Sequence, residues 1–219
     1  QKNREQLIIG GGWSIYDGRH FGEIPGDLAF MYALQKKNFI YYDNNGIKKD
    51  FNAYAKWEHS FNNRLTSFID LQFRKVQHTM NGFDGNPSLL VDRSFNFFNP
   101  KAGISYKHNK TTYYTSIAIA HKEPNRDDFD TGITEQPKQE VLYDWETGFN
   151  SKGKLFNWGV NIYYMSYKDQ LVLTGKINDV GSYTRTNVAK SYRAGIEIEE
   201  TWQINTFLTS VGNITLSKN

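Results

Sequence analysis

The sequence predicts an all-β fold: an antiparallel, up-and-down transmembrane β-barrel, present in part as about nine strands of a larger barrel. Three observations carry this expectation. Apolar and polar residues alternate with a period of two over most of the chain, as strands with one lipid-facing and one solvated face require. Four short polar turns separate the alternating runs on one side, while long irregular segments join them on the other. Aromatic residues flank each short turn, where amphipathic rings sit best between hydrocarbon and headgroups.

The elements follow in order. Strands are expected at 5–16, 39–61, 64–78, 94–108, 111–122, 138–151, 154–170, 184–203 and 206–217. The short turns are Asn62-Asn63-Arg64, His108-Asn109-Lys110, Ser151-Lys152-Gly153-Lys154 and Ile204-Asn205-Thr206. Around them stand Trp57, Phe61 and Phe68, then Tyr106 and Tyr113, then Phe149, Phe156 and Trp158, and last Trp202 and Phe207. From Asn52 to Phe61, Ala53, Ala55, Trp57 and Phe61 alternate with Tyr54, Lys56, Glu58 and Ser60. Ile69 and Leu71 alternate with Asp70, Gln72 and Arg74; Ala102 and Ile104 with Lys101, Gly103 and Ser105. Tyr143, Trp145 and Phe149 oppose Asp144, Glu146 and Asn150; Val160 and Ile162 oppose Asn161; Ala194, Ile196 and Ile198 oppose Glu197 and Glu199. Glu200 breaks the pattern, sharing a face with Ile198 and Trp202, and near the last turn Phe207 and Leu208 compete for the outer face. Loops at roughly 17–38, 79–93, 123–137 and 171–183 share the opposite end.

Composition narrows the classes further. The chain has 219 residues, 38% hydrophobic and 16% aromatic, with a mean hydropathy of −0.65. No run approaches the ~18 apolar residues of a membrane helix, but a barrel wall exposes only alternate residues to lipid and reads as polar overall. With no cysteine, disulfide scaffolds and thiolate chemistry are excluded. A net charge of +3 with scattered basic residues gives no nucleic-acid footprint.

Several strings go beyond generic barrel character. His121-Lys122-Glu123-Pro124-Asn125-Arg126-Asp127-Asp128-Phe129 ends one strand, and Phe97-Phe98-Asn99-Pro100-Lys101-Ala102-Gly103 opens another. Tyr167, Asp169 and Leu171 lead to Asn187, then Gly195, Glu197 and Glu199. These resemble the C-terminal part of the barrel of a TonB-dependent outer-membrane receptor, particularly of the Bacteroidota type, where a Y-x-D-x-L strand leads to an N-x-G/A…G-x-E-x-E strand. The resemblance runs over nearly the whole chain and is strongest from Asn96 to Trp202. It implies a 22-stranded barrel closed by an N-terminal plug, with residues 1–219 forming a partial barrel domain from which the plug and the final strands are absent. It further implies location in the bacterial outer membrane, contact with its lipid, and energising by TonB through that missing plug. The cargo it implies is a small-molecule or oligomeric nutrient, such as a ferric siderophore, haem, cobalamin or a glycan.

The loops supply the expected ligand contacts: Tyr16, Arg19, His20, Phe21, Tyr32, Phe83, Arg126 and Tyr183. No cofactor, metal site or catalytic residue is expected. The five histidines lie on separate segments without i, i+4 spacing, and the acidic run Asp127, Asp128, Asp130 does not fit an EF-hand. That run is expected to pair with Arg126 and order its loop against adjacent strands. Gly10-Gly11-Gly12 lacks the lysine and helix of a phosphate loop, and no Gly-x-Ser-x-Gly elbow occurs. The carboxylate pairs Asp144/Glu146 and Glu197/Glu199 fit a solvated plug interface, faced by lumenal Lys and Arg, better than acid–base work. The rivals are a soluble or surface-anchored β-sheet carbohydrate-binding or adhesin module and an outer-membrane hydrolase. The first is opposed by the turn asymmetry, the second by the missing Ser/His/Asp constellation.

Overall fold

The computed structural model of the chain describes residues 4–25, 38–84, 86–130, 136–177 and 183–219. Within them nine strands form a single antiparallel sheet in sequence order, β1 to β9. The strands are β1 (Glu5–Pro25), β2 (Asn38–Ser60), β3 (Leu65–Asn81), β4 (Leu90–His108), β5 (Thr111–Lys122), β6 (Glu140–Lys152), β7 (Phe156–Ile177), β8 (Tyr183–Gln203) and β9 (Thr209–Lys218). One turn of helix, α1 (Arg126–Asp130), lies between β5 and β6.

Boundaries differ from expectation mainly at the long-loop end. β1 continues to Pro25 and β7 to Ile177, so much of the expected 17–38 and 171–183 loops is paired strand. Toward the short turns apolar and polar residues alternate and the strands are legible; toward the long loops that alternation fades in the sequence, although the ladder persists. At the last turn Asn205 Oδ1 accepts the amides of Phe207 and Leu208 at 3.0 and 2.9 Å. Both residues are thereby held outside β9, which removes their contest for the outer face.

Register sorts the two faces cleanly. Trp57 pairs with Ile69 and Ile69 with Ala102; Ala102 pairs with Ile117 and Ile117 with Trp145. Trp145 then pairs with Tyr164 and Tyr164 with Ala194, completing an apolar row across seven strands. On the opposite face Lys56 pairs with Asp70 and Asp70 with Lys101, an alternation of sign that favours the register. Glu200 lies on the apolar face close to the turn, where Ser210 Oγ donates to it at 3.2 Å.

Glycines on the charged face have a specific role. Gly10, Gly103, Gly148 and Gly195 stand directly opposite Tyr54, Phe68, Tyr114 and Tyr163. Each aromatic side chain reaches over the glycine into the space that a Cβ would take. These pairs lie in β1–β2, β3–β4, β5–β6 and β7–β8, the four hairpins joined by long loops.

The packed core sits at the long-loop end of the charged face. There the inward row changes from Asp70, Gln72 and Arg74 to Val76, His78 and Met80, while β4 contributes Val91, Phe95 and Phe97. Phe83 and Phe129, from the segments after β3 and β5, close over them. Phe97, 1% exposed, belongs to this core, whereas its neighbour Phe98, 55% exposed, lies on the opposite, apolar face.

Candidate functional site

The segment after β5 crosses the charged face as a strap pinned at both ends. Glu123, 8% exposed, accepts from Arg74 at 2.8 Å and from Lys48 at 2.9 Å. Arg74 also grips Asp50 at 2.6 Å. Burial pushes the Glu123 carboxyl up, but hydrogen bonds from Lys48, its own backbone and Arg74 outweigh it and hold the group at about 2. At the other end Arg185 on β8 donates to Asp128 at 2.9 Å. Between the anchors Asn125 and Asp128 cap α1 reciprocally: Asp128 Oδ2 accepts the Asn125 amide at 2.7 Å, and Asn125 Oδ1 accepts the Asp128 amide at 2.9 Å. The cluster therefore does order its loop, but Glu123 and Asp128 do so through Arg74, Lys48 and Arg185 on distant strands; among the described residues Arg126 forms no ion pair with its neighbours, its charge reaching only Asp130 among them.

Arg126 turns instead toward the β3–β4 loop. Its guanidinium lies 4.4 Å from the Phe83 ring centroid and donates to the Gly82 carbonyl at 3.3 Å. Nearby stands Asn44, 7% exposed, which faces His20 across β1–β2 and approaches Gly82. Among the described residues, Asn44 Nδ2 and Arg126 Nη1 are buried without a hydrogen-bond partner. Burial and the charge of Arg126 lower the pKa of His20, favouring neutral imidazole.

The expected ligand residues divide by face. Tyr16 and His20 lie on the charged row of β1, opposite Lys48 and Asn44. Arg19 and Phe21 belong to the other row, where Arg19 binds Asp43 with two contacts of 2.7 Å and lies 4.9 Å from the Phe21 ring. Phe83 is 2% exposed beneath Arg126. Tyr183 opens β8 opposite Ile177, though its side chain lies outside the described residues, as does Tyr32 altogether. The structure thus gathers Tyr16, His20, Phe83 and Arg126 on one side and separates Arg19 and Phe21 from them.

Two residues of the Y-x-D-x-L and N-x-G/A strings prove to shape the backbone. Asp169 adopts a left-handed conformation, φ 55°, which Asn and Asp tolerate better than other side chains. Asn187 Nδ2 donates to the Asp169 carbonyl at 2.6 Å and to that of Lys138 at 3.1 Å, tying β7 to the entry of β6. Nearer the short turns, Glu197 and Glu199 line a hollow of about 330 Å³ with Tyr114, Asn161 and Thr215. Among the described residues no Lys or Arg forms an ion pair with Glu146, Glu197 or Glu199, contrary to the expected basic partners. Ser116, Asn161 and Gly159 stand opposite them instead. Among the described residues no group of three metal-ligating side chains converges.

A family model described as TonB dependent receptor-like, beta-barrel matches residues 4–219. The copper transporter OprC superimposes with a TM-score of 0.80 at 15% identity, over 100% of this chain and 36% of that one. The FrpB iron transporter from Neisseria meningitidis (F3-3 variant) gives 0.67 at 18% identity, over 99% and 33%. The ferric yersiniabactin uptake receptor FyuA from Yersinia pestis gives 0.67 at 14%, over 100% and 33%. The chain thus spans about a third of the length of these structures, and at such identities the likeness speaks for the fold. No curated protein matches the sequence significantly. With its nine-stranded sheet, two-faced register and end-to-end match, the chain belongs to the TonB-dependent receptor β-barrel family.

Proposed function

We propose that this chain is part of the wall of an outer-membrane receptor that takes up a scarce nutrient with energy delivered by TonB. The observation that carries the reading is the two-faced sheet. Its apolar row suits lipid, and its charged row suits a solvated lumen. Open backbone edges are costly in hydrocarbon, so strands beyond this chain are assigned to the free edges of β1 and β9. A soluble or surface carbohydrate-binding or adhesin module is disfavoured, because Ile69, Leu71, Ile104, Ile117 and Ile162 would remain exposed to water.

The short turns are assigned to the periplasm and the long loops to the cell surface. Cargo meets Tyr16, His20 and Arg126 first; Arg19 and Phe21 face away from this mouth. Glu146, Glu197 and Glu199 offer their unpaired charges to cations of a plug domain, through which TonB acts. Solved relatives named as iron and copper transporters and a yersiniabactin receptor support ferric siderophores as the first cargo to try; cobalamin and glycans come next.

The test is uptake of radio-iron supplied as a ferric siderophore by cells carrying the full receptor, with and without TonB. The expected result is saturable uptake that disappears without TonB, with the receptor found in the outer-membrane fraction. A receptor recovered in the soluble fraction, or uptake of every offered nutrient unchanged by its deletion, would overturn the reading.

A further inference from the structure

We propose that the apolar face carries a binding site for one anionic lipid of the outer leaflet, with an acyl chain in a groove across β4, β5 and β6 and a phosphate held by Lys168 and Lys190. The inference rests on the outer-membrane reading above. Its first support is a fork in the wall. β4 and β5 pair from the turn at His108/Thr111 only as far as Lys101/Ala118. Beyond that point Pro100 has no amide to donate, and the Asn99 side chain steps in, its Oδ1 accepting the His121 amide at 3.1 Å. At this fork lies a groove of about 430 Å³, lined on the apolar face by Ile69, Ala102, Ile117, Ile119, Tyr143 and Tyr164.

The second support is charge. Ser166, at the rim of the groove, is followed two residues later on the same face by Lys168. Lys168 stands directly opposite Lys190. Like charges facing each other across a strand pair repel. Both side chains are exposed, and among the described residues neither meets a carboxylate at ion-pair distance. A phosphate shared between them relieves the repulsion. Two residues of strand span about 7 Å, so this phosphate site stands one row above the end of the groove.

Height fits the same occupant. Pro100 and Ile119 lie eight residues along their strands from His108 and Thr111 at the turn. At about 3.4 Å per residue and a tilt of about 40°, they stand roughly 20 Å above it, in the upper part of a ~25 Å apolar band. Lys168, twelve residues from Phe156, stands roughly 30 Å up by the same geometry, at headgroup level. At the upper end of the groove, Tyr164 and Tyr192 stack at 6.1 Å, as interfacial aromatics do. An apolar slot in the outer half of the band with a cationic rim matches lipid A, whose phosphates lie directly above its acyl chains.

The experiment uses the full receptor in mild detergent, with bound lipid read by native mass spectrometry. Phosphatidylglycerol and phosphatidylcholine with identical chains are titrated in, and lipid A is then added as competitor. The expected result is retention of phosphatidylglycerol over phosphatidylcholine on the order of thirtyfold, the scale of two surface lysines, and its displacement by lipid A. Lys168→Gln with Lys190→Gln should erase the preference while leaving chain-driven binding; Ala102→Phe, which fills the groove, should reduce retention of both lipids. Equal retention by the unaltered receptor, or a preference that survives the lysine changes, overturns the phosphate site. Unchanged retention in Ala102→Phe overturns the groove, and failure of lipid A to compete overturns the outer-leaflet assignment. A receptor that stays monodisperse without detergent defeats the membrane reading itself, an outcome distinct from a micelle-bound receptor without lipid preference.

Discussion

At the short-turn end the backbone closes each hairpin within a few residues, whereas at the long-loop end side chains hold the strands in step. Asn62 Oδ1 accepts the amides of Arg64 and Leu65 at 2.8 and 2.9 Å, and Asn205 repeats the arrangement in the last hairpin. His108-Asn109-Lys110-Thr111 turns in two residues, with Asn109 at φ 53°. A tight turn of this kind sets register by itself. A long loop does not, and a slip of one residue would exchange the two faces. The four long-loop hairpins each carry a glycine covered by the aromatic opposite it; among the described residues the short-turn hairpins carry no such pair. An aromatic seated on a glycine fits at one register only, which is how such pairs pin a ladder.

The comparison breaks most visibly at the strap. Glu123→Ala in the full receptor should cost about 3 kcal/mol locally, because it strips Arg74 of one of its two carboxylates and leaves the partly exposed Lys48 without its partner. Hydrogen exchange is expected to show lost protection at 123–130 and none at the short turns. Acid probes the same contact reversibly. The Glu123 carboxyl, ordinarily near 4.5, is held at about 2 in the folded chain. Its contribution, on the order of 3 kcal/mol, is therefore complete above about pH 5 and lost as pH falls toward 2. Exchange at 123–130 measured between pH 6 and 2.5, corrected for the intrinsic rate, should accelerate only in the lower part of that range.

The glycine–aromatic pairs come next. Gly195→Val forces a side chain into the space of Tyr163 and should cost about 1–3 kcal/mol in thermal unfolding of the detergent-solubilised receptor. Adding Tyr163→Ala should recover part of that loss, a coupling that two independent sites would not show. The smallest effect is expected at the turns, where Asn62→Ala removes two exposed amide contacts worth together about 1 kcal/mol. Matching losses from Asn62→Ala and Asn205→Ala would sharpen the contrast; a larger loss there than at Gly195 would reverse it.

What was legible in the sequence follows from the same division. Alternation and turn chemistry placed all nine strands and their order, and fixed the faces where the period of two was clear, since both signals are local; the face of the last strand stayed open where Phe207 and Leu208 compete. Strand extension through Arg19, His20 and Phe21 was not legible, because period two there alternates residues that are all compatible with water. The strap was invisible for another reason: its anchors, Glu123 to Arg74 and Asp128 to Arg185, join residues 49 and 57 positions apart. Nothing in the run Glu123 to Asp130 encodes those partners. The role of the glycines was not legible either: their aromatic partners emerge only once register is known.

The strap has one further consequence, for the bore of the barrel. Glu123 is fastened to β2 and β3, and Asp128 to β8, with four residues of backbone between them. Strands in a sheet stand about 4.8 Å apart, so the arc from β3 to β8 can flatten or tighten only if its chord changes length. A capped helical turn over a packed apolar core cannot stretch gradually. Curvature at the mouth is therefore gauged by a segment that belongs to a loop, and a loop variant would alter the diameter of the opening without touching a strand.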